Sequence, residues 1–128
     1  YVPDMPDSVE NIFAQLGQDL AAGGHLEIAR DFYLDALNRK IKSHEIIFHL
    51  GIVEQELGII DSAIERFKSL IEQDLPTSAI YLQLGELYET QGQQDLAIET
   101  YALGEAKGPP DPEYEKRRFA VQLANKFN

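Results

Sequence analysis

Hydrophobic positions along the chain recur with a period of 34 residues. A Leu-Gly pair begins at Leu16 and returns at Leu50 and at Leu84. Three more columns keep the same period, namely a glycine (Gly24, Gly58, Gly92), an alanine (Ala29, Ala63, Ala97) and an aromatic residue (Tyr33, Phe67, Tyr101). A period of this length is typical of an array of structural repeats and unlike the pattern of a compact enzyme fold.

Within each copy the apolar spacing predicts two helices joined by a glycine turn. In the third copy, Ile80, Leu84 and Leu87 mark one face of the first helix. Ser43, Thr77 and Asp111 stand where helix N-caps are needed. We therefore expect an all-α solenoid of about seven helices in one domain, with an extended leader over residues 1–9, repeats over 10–43, 44–77 and 78–111, and a capping helix over 112–128.

Gly17, Gly51 and Gly85 fall inside the predicted first helices. A glycine there costs about 1 kcal/mol relative to alanine, so its recurrence at one register indicates a compensating contact. We expect close approach of the two helices of a repeat, with the recurrent alanine opposite the glycine. The aromatic residue four positions later would then fill the space toward the next repeat.

Composition and charge narrow the possible functions. The 128 residues are 44% apolar and contain no Cys, which excludes disulfides, thiolate metal sites and cysteine nucleophiles. The net charge is −11, with +2 in residues 112–128 and −13 before them. Such a chain is a poor partner for nucleic acid, and no apolar run suits membrane insertion. The start at Tyr1 favours a piece of a longer protein. We expect a cytoplasmic location, with which the absence of Cys is compatible.

The repeats resemble the tetratricopeptide repeat, whose signature is Trp-x2-Leu-Gly-x2-Tyr, then Ala-x3-Phe, then Pro. The third copy matches best, through Tyr81, Leu84, Gly85, Tyr88, Ala97, Tyr101 and Pro109. The second copy departs from the signature with Glu54 where Tyr is usual. The resemblance implies a right-handed superhelix whose first helices line a concave groove. It also implies a non-catalytic adaptor that binds a peptide or helix of another protein.

The resemblance assigns the groove to residues of the first helices. The candidate partner-binding residues are Asn11, Gln18, Glu45, Phe48, Ile52, Gln55, Leu82, Glu86 and Glu89. Phe48, Ile52 and Leu82 are expected to form an apolar cluster with an acidic rim, which suits apolar anchors with basic flanks. Two alternatives remain open, because these side chains could pack between adjacent first helices or lie under the leader.

One well-known ligand mode of this family is not expected here. Members that bind the C-terminal carboxylate of Hsp70 or Hsp90 use two Lys, two Asn and one Arg. The matching positions of this chain hold Ala14, Gln18, His49, Ala79 and Gln83. A carboxylate would find no cationic partner among them apart from a protonated histidine.

No constellation in the sequence points to catalysis, a cofactor or a metal. His44 and His49 are five residues apart, which is not the spacing of a helical metal pair. Glu54 and Glu56 do not face each other, and we expect them on a solvated face. The chain is therefore expected not to be an enzyme.

The final helix is expected to cover the third repeat with a stripe of Phe119, Ala120, Leu123 and Phe127, leaving Arg117 and Arg118 toward water. The runner-up function is a self-assembly or regulatory module within a larger protein, so a homo-oligomer is possible. The basic residues Lys116, Arg117 and Arg118 would then dock head to tail onto the acidic groove of another copy, or contact an acidic partner.

Overall fold

The computed structural model describes residues 5–41, 43–73 and 77–127, with side chains from Val9 onward. These residues form seven α-helices and no strand. The helices are α1 (Met5–Ala22), α2 (Leu26–Asn38), α3 (His44–Glu56), α4 (Ile60–Glu72), α5 (Ser78–Thr90), α6 (Gln94–Lys107) and α7 (Pro112–Phe127). The all-α class predicted from the periodicity is confirmed.

The leader is shorter than predicted. Residues 5–9 belong to α1, so the prediction of an extended segment over residues 1–9 is wrong for this part. The reason is that Pro6 lies in the first helical turn, where its missing N–H leaves no hydrogen bond unmade and its φ suits a helix. Residues 1–4 lie outside the described part of the chain.

The predicted N-caps are present. The side chains of Ser43, Thr77 and Asp111 each accept a hydrogen bond from the backbone N–H two residues on, at 3.1, 3.3 and 2.9 Å. Each bond satisfies a helix N–H that has no partner within the helix. Polar side chains read from the sequence therefore fix where α3, α5 and α7 begin.

The periodic glycines end the first helix of each copy. Gly24, Gly58 and Gly92 have φ values of 85°, 80° and 75°, in the left-handed region. The N–H of the residue after each glycine binds the carbonyl five positions earlier, at 2.9, 2.8 and 2.9 Å. This is the Schellman motif, which favours glycine because a Cβ is strained at positive φ.

The same motif ends α2 with a lysine in place of glycine. Lys40 has a φ of 63°, and the N–H of Ile41 binds the carbonyl of Ala36 at 2.9 Å. A side chain in this region strains the backbone by roughly 1–2 kcal/mol. The end of α2 therefore carries a backbone strain that a glycine at position 40 would relieve.

The chain divides into two compact units, Tyr1–Arg66 (unit 1) and Phe67–Asn128 (unit 2), and the boundary falls within α4. In unit 1, α1 packs on α2 and α3, and α2 packs on α3. The buried core of these three helices consists of Ala14, Ala29, Tyr33, Ala36, Ile46, Leu50 and Val53. In unit 2, α5 packs on α6, and α7 contacts both.

The glycines inside α1 and α5 leave room for tyrosine rings. A Cβ on Gly17 would overlap the ring of Tyr33, and a Cβ on Gly85 would overlap that of Tyr101. Both rings are fully buried. The sequence-based expectation was right about close approach and wrong about the partner, because the tyrosine fills the space beside the glycine of its own repeat. Alanine is too small to occupy that space.

The last helix repeats this packing one step further along the chain. A Cβ on Gly104 in α6 would lie 2.7 Å from the ring of Tyr114 in α7. Tyr114 and Val121 are the buried side chains of α7 and stand 34 residues after Ile80 and Leu87, which are buried in α5. The 34-residue period therefore continues through α7.

This register overturns the predicted covering stripe. Phe119, Leu123 and Phe127 are exposed, and so is Ala120. The prediction failed because it sought the most apolar face of α7. The buried face is instead the one in phase with α5, and its anchors are one tyrosine and one valine.

The two arginines of α7 are also not free in water. Arg117 and Arg118 are half-buried, with Arg117 paired to Glu86 and Glu113 and Arg118 paired to Glu105. The pairs with Glu86 and Glu105 link α7 to α5 and α6, whereas the pair with Glu113 lies within α7.

We predict that Lys40→Gly raises the free energy of unfolding by about 1 kcal/mol, because glycine removes the strain at positive φ. Thermal or urea denaturation followed by circular dichroism measures it. Arg39→Gly is the matched control, since Arg39 has a φ of −81°. A control that stabilises as much as Lys40→Gly would contradict the account.

We predict that Gly85→Ala lowers the free energy of unfolding by about 1–3 kcal/mol, because the added methyl group meets the Tyr101 ring. Helix propensity alone predicts the opposite change, a rise of about 1 kcal/mol in the free energy of unfolding. Urea denaturation decides between them, and Ala102→Gly on the exposed side of α6 calibrates the propensity. A stabilised Gly85→Ala protein would exclude the proposed packing.

Candidate functional site

Six of the predicted groove residues lie on α1 and α3, two helices of unit 1 that pack against each other. They are Asn11 and Gln18 on α1 and Glu45, Phe48, Ile52 and Gln55 on α3. We call this surface the α1–α3 face.

On α3 the four residues are spaced by three, four and three positions, so they share one side of the helix. Glu45 is exposed, whereas Phe48, Ile52 and Gln55 are half-buried. The ring of Phe48 meets that of His49 edge to face, with 5.5 Å between ring centroids. The α1–α3 face therefore has an apolar strip with a carboxylate at the N-terminal end of the helix.

The polar part of the face centres on the carboxylate of Glu45. The side-chain amide of Gln18 donates to its Oε1 at 3.4 Å, and Nε2 of His49 lies 4.0 Å from the same oxygen. Burial lowers the pKa of His49 below its usual 6.5, against an opposing effect of Glu45. His49 is thus mainly neutral at pH 7, and the charge of Glu45 is not cancelled. A neutral His49 also leaves its position in the expected carboxylate clamp without positive charge.

The other three predicted groove residues lie on α5 in unit 2 and contact their own unit. Leu82 is half-buried and packs against the core cluster of Ala97, Tyr101 and Val121. Glu86 accepts a hydrogen bond from Arg117 Nη1 at 3.4 Å, and Glu89 accepts one from the hydroxyl of Tyr101. Burial, followed by the bond to Glu89, raises the pKa of Tyr101, so its hydroxyl stays protonated and donates.

The predicted cluster of Phe48, Ile52 and Leu82 combines both units. Phe48 and Ile52 share the α1–α3 face, and their half-buried state is compatible with ligand binding and with internal packing. Leu82 packs within its own unit, against residues of α6 and α7. Proximity of Leu82 to the other two residues stays a prediction.

An ion triad in unit 1 was not anticipated from the sequence. Glu54 is fully buried, and its two carboxylate oxygens accept from Nε of Arg30 and Nε of Arg66, each at 3.0 Å. The expectation that Glu54 lies on a solvated face is wrong. Its position offered the relevant signal, because a buried tyrosine is usual there, and a carboxylate at a buried position needs cationic partners.

The described residues offer no obvious metal or membrane site. Among residues 5–41, 43–73 and 77–127, no group of three or more His, Asp or Glu side chains could hold a metal ion. Within the same ranges, no helix has the length and apolarity needed to span a membrane.

Comparisons with known proteins agree with the repeat pattern. No family model matches the chain. A TPR repeat-containing protein of Synechococcus elongatus is 25% identical over 118 residues, which cover 85% of this chain and 28% of that protein. The chain thus spans less than a third of the length of this curated relative.

Two solved structures share the fold over almost the whole chain. The type III secretion translocator chaperone SycD of Yersinia enterocolitica has a TM-score of 0.77 at 16% identity, covering 94% of this chain and 88% of that one. YrrB, described as a TPR protein with an unusual peptide-binding site, has a TM-score of 0.72 at 19% identity, covering 89% and 58%. The chain therefore has the tetratricopeptide repeat fold, which its repeat signature predicted.

We predict that Glu54→Gln lowers the free energy of unfolding by about 3–5 kcal/mol, because two partly buried arginines lose their counter-charge. The measurement is urea denaturation at pH 7. Glu56→Gln is the matched control on the same helix, since Glu56 is exposed, and it should change stability by less than about 0.5 kcal/mol. Equal effects of the two substitutions would contradict the structural role of the triad.

Proposed function

We propose that the chain is a non-catalytic adaptor that binds a peptide or an amphipathic helix of another protein on its α1–α3 face. Phe48 and Ile52 take apolar anchors of the ligand, and Glu45 faces a lysine or arginine beside them. The observation that carries the proposal is the half-buried strip on α3 next to a carboxylate whose charge is not neutralised.

The shape of this strip suits a helix or an extended segment. Phe48 and Ile52 are separated by one helical turn, so they offer two neighbouring contacts along α3. A ligand helix with apolar residues at i and i+4 presents the same spacing. An interface of this kind gains most of its affinity from a few buried apolar anchors, with charges at the rim setting specificity.

Charge supports a ligand with basic flanks. Unit 1 carries five Lys and Arg against 12 Asp and Glu, a net charge of −7. Such a field attracts cationic segments and repels nucleic acid and C-terminal carboxylates. This is the physical reason for proposing a protein partner and for excluding the Hsp70 or Hsp90 mode.

The known neighbours support a protein-binding role by analogy. One is a chaperone of secretion translocators, and another is described by its peptide-binding site. The proposal extends that role to this chain through its own α1–α3 residues. Leu82, Glu86 and Glu89 have contacts within unit 2, so we assign them a secondary part in binding. A cytoplasmic location stays a prediction.

Panning a random peptide library on the immobilised protein tests the proposal. We expect enriched peptides with apolar residues one helical turn apart and flanking Lys or Arg. Phe48→Ala with Ile52→Ala should weaken binding of a selected peptide at least about tenfold in calorimetry, a loss of about 1.4 kcal/mol or more. Glu45→Lys, at an exposed position, should lower the affinity for basic peptides and leave the affinity for neutral peptides unchanged.

The control removes exposed apolar side chains elsewhere. Ile28→Ala with Leu96→Ala changes residues on α2 and α6 and should leave affinity unchanged. Circular dichroism verifies that every variant is folded. Peptides that bind wild type and the α3 variant equally, or enrichment of acidic peptides, would contradict the proposed site.

A further inference from the structure

The helix α7 exposes a continuous apolar surface. Phe119, Leu123 and Phe127 are 57%, 44% and 79% exposed, and their spacing of four residues places them along one side of the helix. We call this surface the α7 stripe. Large apolar side chains grouped in this way on a protein surface mark a site of interaction, since exposing them to water is unfavourable.

The helix α1 exposes a second apolar surface. Ile12 and Leu16 are 55% and 47% exposed and lie one turn apart, and we call them the α1 stripe. The residues 34 positions later, Ile46 and Leu50, are fully buried. Ile12 and Leu16 thus occupy repeat positions that are buried in the next repeat, but no described part of the chain covers them.

The charges around the two stripes are opposite. Residues 112–128 carry a net charge of +2, and the exposed Lys116 and Lys126 fall within one helical turn of stripe residues. Asp19 is exposed three positions after Leu16, on the same side of α1, and unit 1 as a whole has a charge of −7. Among the described residues of α7, the one carboxylate within a turn of the α7 stripe is Glu115, which also lies close to the positive charge of Arg118. A basic apolar surface and an acidic apolar surface are complementary.

We propose that the chain binds a second copy of itself, with the α7 stripe of one copy packed on the α1 stripe of the next. The two surfaces differ, so the contact is head to tail, and each pair keeps one free stripe of each kind. Association can therefore continue beyond a dimer. This inference does not depend on ligand binding at the α1–α3 face.

Sedimentation equilibrium of the 128-residue chain from micromolar to millimolar concentration tests it. We expect the average mass of wild type to rise from 14.4 kDa past that of a dimer. Phe119→Asp with Leu123→Asp places charges on two of the three residues of the α7 stripe and so disrupts it, and Ile12→Asp with Leu16→Asp removes the α1 stripe. Each variant alone should stay at the monomer mass, because it retains only one kind of surface.

Mixing the two variants gives the decisive result. Each supplies the surface that the other lacks, so an equimolar mixture should form a complex of twice the monomer mass and nothing larger. Binding through α7 stripes alone would instead leave the α1 variant dimeric by itself, and that outcome would overturn the head-to-tail contact. A wild-type protein that stays monomeric at all concentrations would overturn the proposal altogether.

A matched control tests whether these particular surfaces matter. Ile28→Asp with Leu96→Asp also adds two carboxylates at exposed apolar positions, on α2 and α6, and should associate like wild type. Loss of association in this control would indicate a general effect of negative charge and contradict the proposal. All variants are examined by circular dichroism, and the mixed complex itself shows that both stripe variants are folded.

Discussion

The packing of a tyrosine ring into the space beside a glycine is the constraint on which the first and third helical hairpins depend. A glycine in the middle of a helix is unfavourable by about 1 kcal/mol, yet Gly17 and Gly85 admit the rings of Tyr33 and Tyr101 between closely packed helices. A buried aromatic ring contributes several times that cost through the apolar area it removes from water. The glycine thereby fixes the distance between two helices, and the outward-facing residues of each hairpin take their positions from it.

The same pairing explains how much of the fold was predictable. A column of glycines and a column of aromatic residues in phase over 34 positions define the helices, and the N-cap residues and turn glycines define their ends. Periodicity did not reveal which residue of the second helix contacts the glycine, because Ala29 and Tyr33 lie one turn apart on the same side of that helix. That choice depends on volume in three dimensions, where only the ring is large enough.

The sequence was least informative where residues depart from the repeat pattern. Glu54 stands at a buried position where tyrosine is usual. The burial of its carboxylate depends on ion pairs with Arg30 and Arg66, which are distant in sequence. In α7, the burial of Tyr114 and Val121 follows from register, while the more apolar Phe119 is left outside. Both cases show that position within the repeat decides burial more strongly than the hydrophobicity of a side chain does.

The sequence could supply the residues of the candidate site, but not which of them have contacts within their own unit. The family resemblance supplied Phe48 and Ile52 as groove candidates. The contacts of Glu86 and Glu89 within unit 2 could not be predicted, because Arg117 and Tyr101 come from elsewhere in the sequence. Glu86 is therefore paired with a cation inside its own unit. Glu45 instead lies beside a neutral histidine, so its negative charge is available to a partner.

The most direct test of the account is a nitrogen–proton NMR titration with a selected peptide, at a concentration and with an α7 variant that keep the protein monomeric. We predict that amide shifts change most along one side of α3, at Glu45, Phe48 and Ile52, and at Gln18 on α1. Changes confined to α2, α4 or α7, with the α1–α3 face unaffected, would contradict the proposed binding surface.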